Sequence, residues 1–305
     1  MQRRIILTGS NGLLGQKLVY LLADRPQIKL IATSRGINRH SLRGGYHYEP
    51  LDLLDTEGWR RIFQEVGPTD LIHTAAMTLV DQCETDHETC DKYNVEAVAF
   101  LASLCKEYGT RFIHISTDFI FDGEAGPYTE RAEPRPLNYY GGAKLKAEEI
   151  VQNSGVDWAI LRTMLLYGVT PAMSRSNIVL WAKKSLEENK EIKVVSDQWR
   201  CPTLAEDLAA GTLAAVMKDA RGIFHLSGGE MMSISELVHQ VADHWKLDKS
   251  LITEIESSSL NQAAKRPPKT GFIILKAQTE LRYQPHSLTQ GLALVDKQLR
   301  EGWTE

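Results

Sequence analysis

A short apolar run, Arg4-Ile-Ile-Leu-Thr8, leads directly into Gly9-Ser-Asn-Gly12-Leu-Leu-Gly15, and from Gln16 to Ala23 the apolar residues recur at helical spacing. Strand, glycine turn and helix in that order leave few folds open. In a nucleotide-binding βαβ unit one glycine makes the tight turn, a second lets backbone N–H groups approach a pyrophosphate, and a third allows close packing of helix on strand. The helix N-terminus then offers partial positive charge to the phosphates. The spacing is G-x-x-G-x-x-G rather than the usual G-x-G-x-x-G fingerprint. A plain turn is the competing reading, and the context on both sides argues against it.

The alternation continues. Strand-like runs occupy Ile28 to Thr33, Tyr46 to Leu51, Asp70 to Thr74 and Arg111 to Ser116, with helical patterns at Thr56 to Val66 and from about Asp81 to Tyr108. Such an order predicts an α/β fold, a Rossmann-type doubly wound parallel sheet. After Tyr167 the rhythm loosens: a helix is expected from Ile178 to Lys190, a strand over Ile192 to Val195 and a helix from Ala205 to Lys218. A strand over Gly222 to Leu226 and a helix from Ser233 follow, with Glu236 at capping-box spacing. We therefore expect a dinucleotide-binding domain over residues 1–165 and a smaller C-terminal substrate-binding lobe over 166–305, with segments interleaved.

With 305 residues, 43% of them hydrophobic, the chain can build a large core. A net charge of -4 gives no basic excess to hold a phosphate backbone, so nucleic acid is not expected as a partner. No apolar run approaches the roughly 20 residues that cross a bilayer, and Ile5-Ile6-Leu7 is too short for a signal-peptide core. A cytoplasmic protein without membrane contact is expected. Cys83, Cys90, Cys105 and Cys201 form no C-x-x-C pair, which fits reduced thiols. Cys83-Glu-Thr-Asp-His-Glu-Thr-Cys90 gathers metal-ligand types, but a solvated helix face is the better reading and no metal is expected.

About twenty residues beyond the glycines, where an NAD site of this kind carries Asp or Glu for the ribose 2′-hydroxyl, the chain has Thr33-Ser34-Arg35. A hydroxyl and a guanidinium in place of a carboxylate favour NADP(H), with NAD(H) the other option and an exposed loop arginine the bland reading of Arg35. Further on, Tyr140 precedes Lys144 by four residues, so on a helix the two side chains share one face. A nearby ammonium favours the phenolate and should bring the Tyr140 pKa down toward the working range, making the phenol a candidate proton donor. Tyr139 has Ala143 four residues on and is discarded.

Gly9-x-x-Gly12-x-x-Gly15, Asp52-Leu53, Ala75-Ala76, Ser116-Thr117-Asp118 and Tyr140-x-x-x-Lys144 follow one another in an order that resembles the extended short-chain dehydrogenase/reductase superfamily. Within it the resemblance is greatest to the dTDP-4-dehydrorhamnose reductases. It is carried by Ala75-Ala-Met-Thr-Leu-Val-Asp81, Ser116-Thr-Asp-Phe-Ile-Phe-Asp-Gly123, Tyr128-Thr-Glu130 and Pro136-Leu-Asn-Tyr-Tyr-Gly141. Asp197-Gln198 with Pro202-Thr203, and Arg266-Pro267, complete it. The resemblance covers most of the chain and thins after about residue 220. It implies reduction of a 4-keto group on a nucleotide-linked deoxysugar; a monomer or homodimer is expected. Thr117 would bind the carbonyl, Tyr140 would donate the proton, and Lys144 would bind the nicotinamide ribose and lower the Tyr140 pKa. Gly9, Asn11, Gly12, Leu13, Gly15, Ser34, Arg35, Asp52, Leu53, Ala75, Ala76 and Ser116, together with Tyr140 and Lys144, would line the cofactor. Thr78, Asp118, Phe119 and Arg266 would meet the substrate.

Two positions depart from that pattern. Phe119 stands where the reductases usually have Tyr, and Met164-Leu165 where they usually have Ser-Trp, which removes a hydrogen-bond donor and a stacking surface. These departures keep a second reading open. It is a non-catalytic NADP-binding regulatory subunit, like the beta subunit of methionine adenosyltransferase, which resembles the same reductases. An epimerase or dehydratase is a third; dehydratases of this fold usually carry Asp-Glu where this chain has Asp118-Phe119.

Overall fold

The computed structural model describes residues 2–173 and 175–303. Strand β1 (Arg3–Thr8) lies in the interior of a seven-stranded parallel sheet, third from one edge, and leads into helix α1 (Leu13–Ala23). Residues Ile5 to Leu7 of β1 are wholly buried, as expected of a parallel strand covered on both faces. Next come β2 (Ile28–Ser34), β3 (Tyr46–Pro50), α2 (Thr56–Val66), β4 (Asp70–His73), α3 (Val80–Thr85), α4 (His87–Asp91), α5 (Ala97–Tyr108) and β5 (Arg111–Thr117). Then follow α6 (Tyr139–Asn153), β6 (Trp158–Thr163), β7 (Leu166–Tyr167), α7 (Ile178–Glu187), β8 (Ile192–Val195), β9 (Trp199–Arg200), β10 (Thr203–Leu204), α8 (Ala205–Met217) and β11 (Gly222–His225). The chain closes with β12 (Met232–Ser233), α9 (Ile234–Trp245), β13 (Ile252–Ile255) and α10 (Leu288–Arg300).

The large sheet runs β11-β6-β5-β4-β1-β2-β3. One face is covered by α1 and α8 around Leu18, Leu22, Leu208 and Phe224, the other by α2, α5 and α6 around Trp59, Phe63, Leu101 and Val151. A third apolar cluster, with Val179, Leu237, Val241 and Val295, joins α7, α9 and α10. There β13 pairs in parallel with β8. The last strand of the large sheet, β11, comes from beyond residue 166 and pairs Gly222 with Ala159 through His225 with Arg162. Among the described residues no helix is long and apolar enough to cross a membrane.

One expected helix is not continuous. Between Asp81 and Tyr108 the chain breaks at Asp86, whose φ of -133° is non-helical and whose carboxylate accepts from Thr89 N at 3.1 Å to start α4 afresh. Lys92–Glu96 then winds as a π-turn. The wider turn aims Asn94 at the backbone of Met77, accepting from its N–H at 2.8 Å and donating to its carbonyl at 2.9 Å. A periodic apolar pattern cannot register one extra residue per turn.

Helix α6 is fastened to the sheet by a buried ion pair. Glu148, fully buried, accepts from Arg162 Nε at 3.0 Å and from its Nη2 at 2.7 Å. Removing one member strands the other charge, so Glu148→Ala should lose about 3–5 kcal/mol of stability, whereas Glu148→Met with Arg162→Met should lose less. Urea unfolding of both variants checks this; an equal loss would mean the pair is stabilising beyond its mutual compensation.

Candidate active site

Gly9 closes the turn after β1 with φ +68°, and a Cβ there would press on Thr74 Oγ1 and Ala75 N. Gly15 lies in the first turn of α1, where a Cβ would run into the Gly9 carbonyl. The two glycines thus let strand, turn and helix close on one another. Gly12 caps α1 without a side chain, so its first N–H groups face outward from the turn. The side chain of Asn11 is taken up by the loop after β2: Nδ2 donates to Ile37 O at 2.9 Å and Arg35 O at 3.3 Å, while Oδ1 accepts from Arg39 N at 3.0 Å. Asn11 therefore shapes the loop that carries Ser34 and Arg35. Ser34 is half-buried, and the Arg35 side chain is 71% exposed, with Nε 3.9 Å from Asp52 and its guanidinium over the Tyr93 ring. Asp52 also accepts from Tyr93 OH at 3.3 Å, and Leu53 is buried beside it. Thr8 Oγ1 accepts from the N–H groups of Thr74 and Ala75 at 3.1 Å and so sets the course of the chain through Ala75 and Ala76.

Farther along the sheet, β5 delivers Ser116 and Thr117, and α6 delivers Tyr140 and Lys144. All four are buried, and Ser116 Oγ has no partner. Asn138 caps α6 by accepting from Gly141 N at 2.8 Å, and Tyr139 is held away by an Asp91 bond at 2.9 Å and a stack on His87 at 3.6 Å. Burial pushes the Tyr140 phenol well up, and interaction with the Thr117 hydroxyl opposes this only in part. The expected lowering by Lys144 is not present. The ammonium donates instead to the Ile115 carbonyl at 2.7 Å and lies 3.2 Å from His114 Nε2, and burial brings its own pKa down to about 8 against the pull of Glu148. Desolvation of both groups outweighs the i, i+4 attraction that the sequence suggests.

The residues expected to meet substrate divide. Thr78 is exposed and accepts from Arg175 at 3.2 Å. Phe119 is half-buried, edge-on to Tyr140 with ring centroids 5.9 Å apart. Leu165, at φ 39°, packs against the C-terminal apolar cluster. Asp118 is turned inward: it accepts from Thr270 Oγ1 and from Thr117 Oγ1 at 3.2 Å, and lies 3.3 Å from Arg200 Nε. Burial raises its carboxyl, with Arg200 opposing. Arg266 is bound to Asp81, donating Nη2 to Oδ2 at 2.6 Å and Nη1 to Oδ1 at 2.9 Å, and this holds the Asp81 carboxyl below its ordinary range. Cys83 and Cys90, read as part of a solvated face, are fully buried against Tyr140.

Arg200 and His114 escape sequence reasoning, and Asp81 enters it only as the end of a motif, without a role. Each acquires its meaning from a partner on a distant element, and Trp199-Arg-Cys201 carries no periodic signal.

A glycine-lined turn at the carboxyl end of a parallel sheet, with a buried hydroxyl, phenol and amine at the next crossover, defines an extended short-chain dehydrogenase/reductase. Within that class the chain belongs to the family described as the RmlD substrate binding domain, whose model matches residues 3–300. It is 31% identical to methionine adenosyltransferase 2 subunit beta of Rattus norvegicus, over 91% of this chain and 82% of that protein. It is 30% identical to dTDP-4-dehydrorhamnose reductase of Burkholderia thailandensis, over 87% of this chain and 88% of the relative. Its fold superposes on dTDP-4-dehydrorhamnose reductase of Bacillus anthracis in complex with NADP with a TM-score of 0.84 and 25% identity, covering 98% and 100% of the two chains.

Lys144 gives the site a pH signature. Its pKa is lowered by burial from 10.5 to about 8, so over that window the unfolded chain binds more protons and stability rises with pH. The stability of Lys144→Met relative to the natural protein should therefore be roughly 1–3 kcal/mol more favourable at neutral pH than at pH ~10. Urea unfolding at the two pH values checks this; a difference independent of pH contradicts it.

Proposed function

We propose that this protein uses NADPH to reduce a 4-keto group on a nucleotide-linked deoxysugar, as a soluble cytoplasmic enzyme. The observation that carries the reading is the burial together of Thr117, Tyr140 and Lys144 where β5 meets α6. The residues fit a dinucleotide: a cradle from Gly9 to Gly15 that side chains would fill, the unpartnered Ser116 hydroxyl, and the open guanidinium of Arg35. NADPH, when bound, supplies the hydride. Thr117 orients the carbonyl once its hydroxyl, now directed to Asp118, rotates outward. Tyr140, kept neutral by burial, gives its proton to the forming alkoxide as charge builds on the carbonyl oxygen. Lys144 supplies compensating positive charge and an N–H for the ribose.

Tyr140→Phe removes one oxygen and leaves the cradle intact. Turnover should fall by ~10²–10⁴ while NADPH binding by calorimetry stays unchanged. Near-normal turnover would remove Tyr140 from the chemistry.

Arg35→Asp should reverse the preference from NADPH toward NADH by about one to two decades in affinity, because a charge-assisted phosphate contact becomes repulsion. Equal binding of the two cofactors by the unaltered protein would exclude Arg35 as the phosphate ligand.

A second reading, an NADP-binding regulatory subunit, is favoured by the likeness to methionine adenosyltransferase 2 subunit beta and by Phe119 and Leu165. Incubation with NADPH and a panel of nucleotide-linked keto sugars separates them. Oxidation of NADPH supports the reductase, and tight binding without oxidation supports the regulatory subunit.

A further inference from the structure

Two buried histidines lie beneath the site, and the reaction proposed above assigns them nothing. His73 of β4 is in register with His114 of β5, and the rings stack with centroids 5.6 Å apart. Thr8 Oγ1 meets His73 Nδ1 at 2.9 Å, and Lys144 Nζ meets His114 Nε2 at 3.2 Å. The other two ring nitrogens, His73 Nε2 and His114 Nδ1, are buried without a partner.

An ammonium has donors only, so His114 Nε2 must be the acceptor in this contact. A neutral imidazole then carries its proton on Nδ1, where it meets nothing. That tautomer leaves a buried N–H unpaired, which is unfavourable on its own. It is selected because the alternative would set an N–H against the ammonium.

We propose that His114 is a positioning residue for Lys144: as the Nδ1–H tautomer it accepts from the ammonium through Nε2. Together with the Ile115 carbonyl at 2.7 Å it fixes two of the three N–H groups and leaves the third for a ligand. The assignment of that ligand as the cofactor ribose rests on the proposed function; the contact itself does not. The charged or titratable groups that act on Lys144 are Glu148 on its own helix and Cys90 of α4, with His114 and His73 from the sheet. Burial, then the charge of Lys144, keeps both rings neutral at ordinary pH. Glu148 is already paired to Arg162. His114 is thus the neutral acceptor that lets Lys144 remain charged in a dry setting, and losing it should release the Lys144 proton at lower pH.

The test needs neither substrate nor cofactor. In the whole chain labelled with ¹⁵N-histidine, His114 should show a protonated Nδ1 and an unprotonated Nε2 throughout about pH 6 to 7, where Lys144 is charged. A proton on Nε2 overturns the proposal. Titration of the Lys144 ¹³Cε resonance supplies the second measurement. His114→Leu should leave Lys144 about tenfold more deprotonated at a given pH, and His114→Gln, whose carboxamide oxygen still accepts, should restore most of the difference. Identical midpoints in the natural protein and His114→Leu overturn it, as does failure of Gln to outperform Leu. A packing role alone would lower the unfolding temperature without moving the titration. Should these results hold while the protein binds no NADPH, the reductase reading fails and the positioning of Lys144 stands.

Discussion

Helix α6 faces the sheet with a stripe of polar side chains. Tyr140, Lys144 and Glu148 follow at i, i+4 and i+8, and all three are buried. Burying such a stripe is tolerable where its charged members find partners in place of water, and the sheet supplies them: Ile115 O with His114 for Lys144, then Arg162 for Glu148. Between them Ala143 and Ala147 keep the helix close, and Gly141 lies where a Cβ would meet the Phe119 carbonyl. The candidate site residues are therefore held by the same contacts that dock the helix.

Much of the sheet was legible because its signals are local. Apolar runs, the Gly9 to Gly15 turn and the Tyr140 to Lys144 spacing each depend on residues within a few positions of one another. The break at Asp86 was hidden because a capping carboxylate and a π-turn leave no mark on apolar periodicity. The direction of the Tyr140 shift was misjudged for a different reason: spacing reveals the neighbouring charge and says nothing of the solvent that both groups have lost. Asp118 and Arg266 were singled out by resemblance, yet their partners Arg200 and Asp81 lie on other elements, and no linear pattern joins them.

At the other end of the site, one amide organises the loop that follows β2. Asn11 reaches past the glycine turn to hold the backbone at Arg35, Ile37 and Arg39. The turn and the loop are thereby a single unit, so the orientation of the Arg35 backbone is fixed while its side chain stays exposed. Asp52 and Tyr93 bound that side chain on the inner side, which confines a basic residue near an acidic one.

Because β11 is supplied by residues 222–225 and lies outside β6, the edge of the large sheet is sealed by a segment made late in synthesis. A nascent chain that has emerged only through Thr163 holds the glycine turn, the hydroxyl, the phenol and the amine, yet presents a bare strand edge and an apolar face awaiting α8. Long-range closure of this kind slows folding and exposes pairing surface in the meantime. The candidate site is encoded early in the chain, but its shelter from water and from other chains arrives only with the second half.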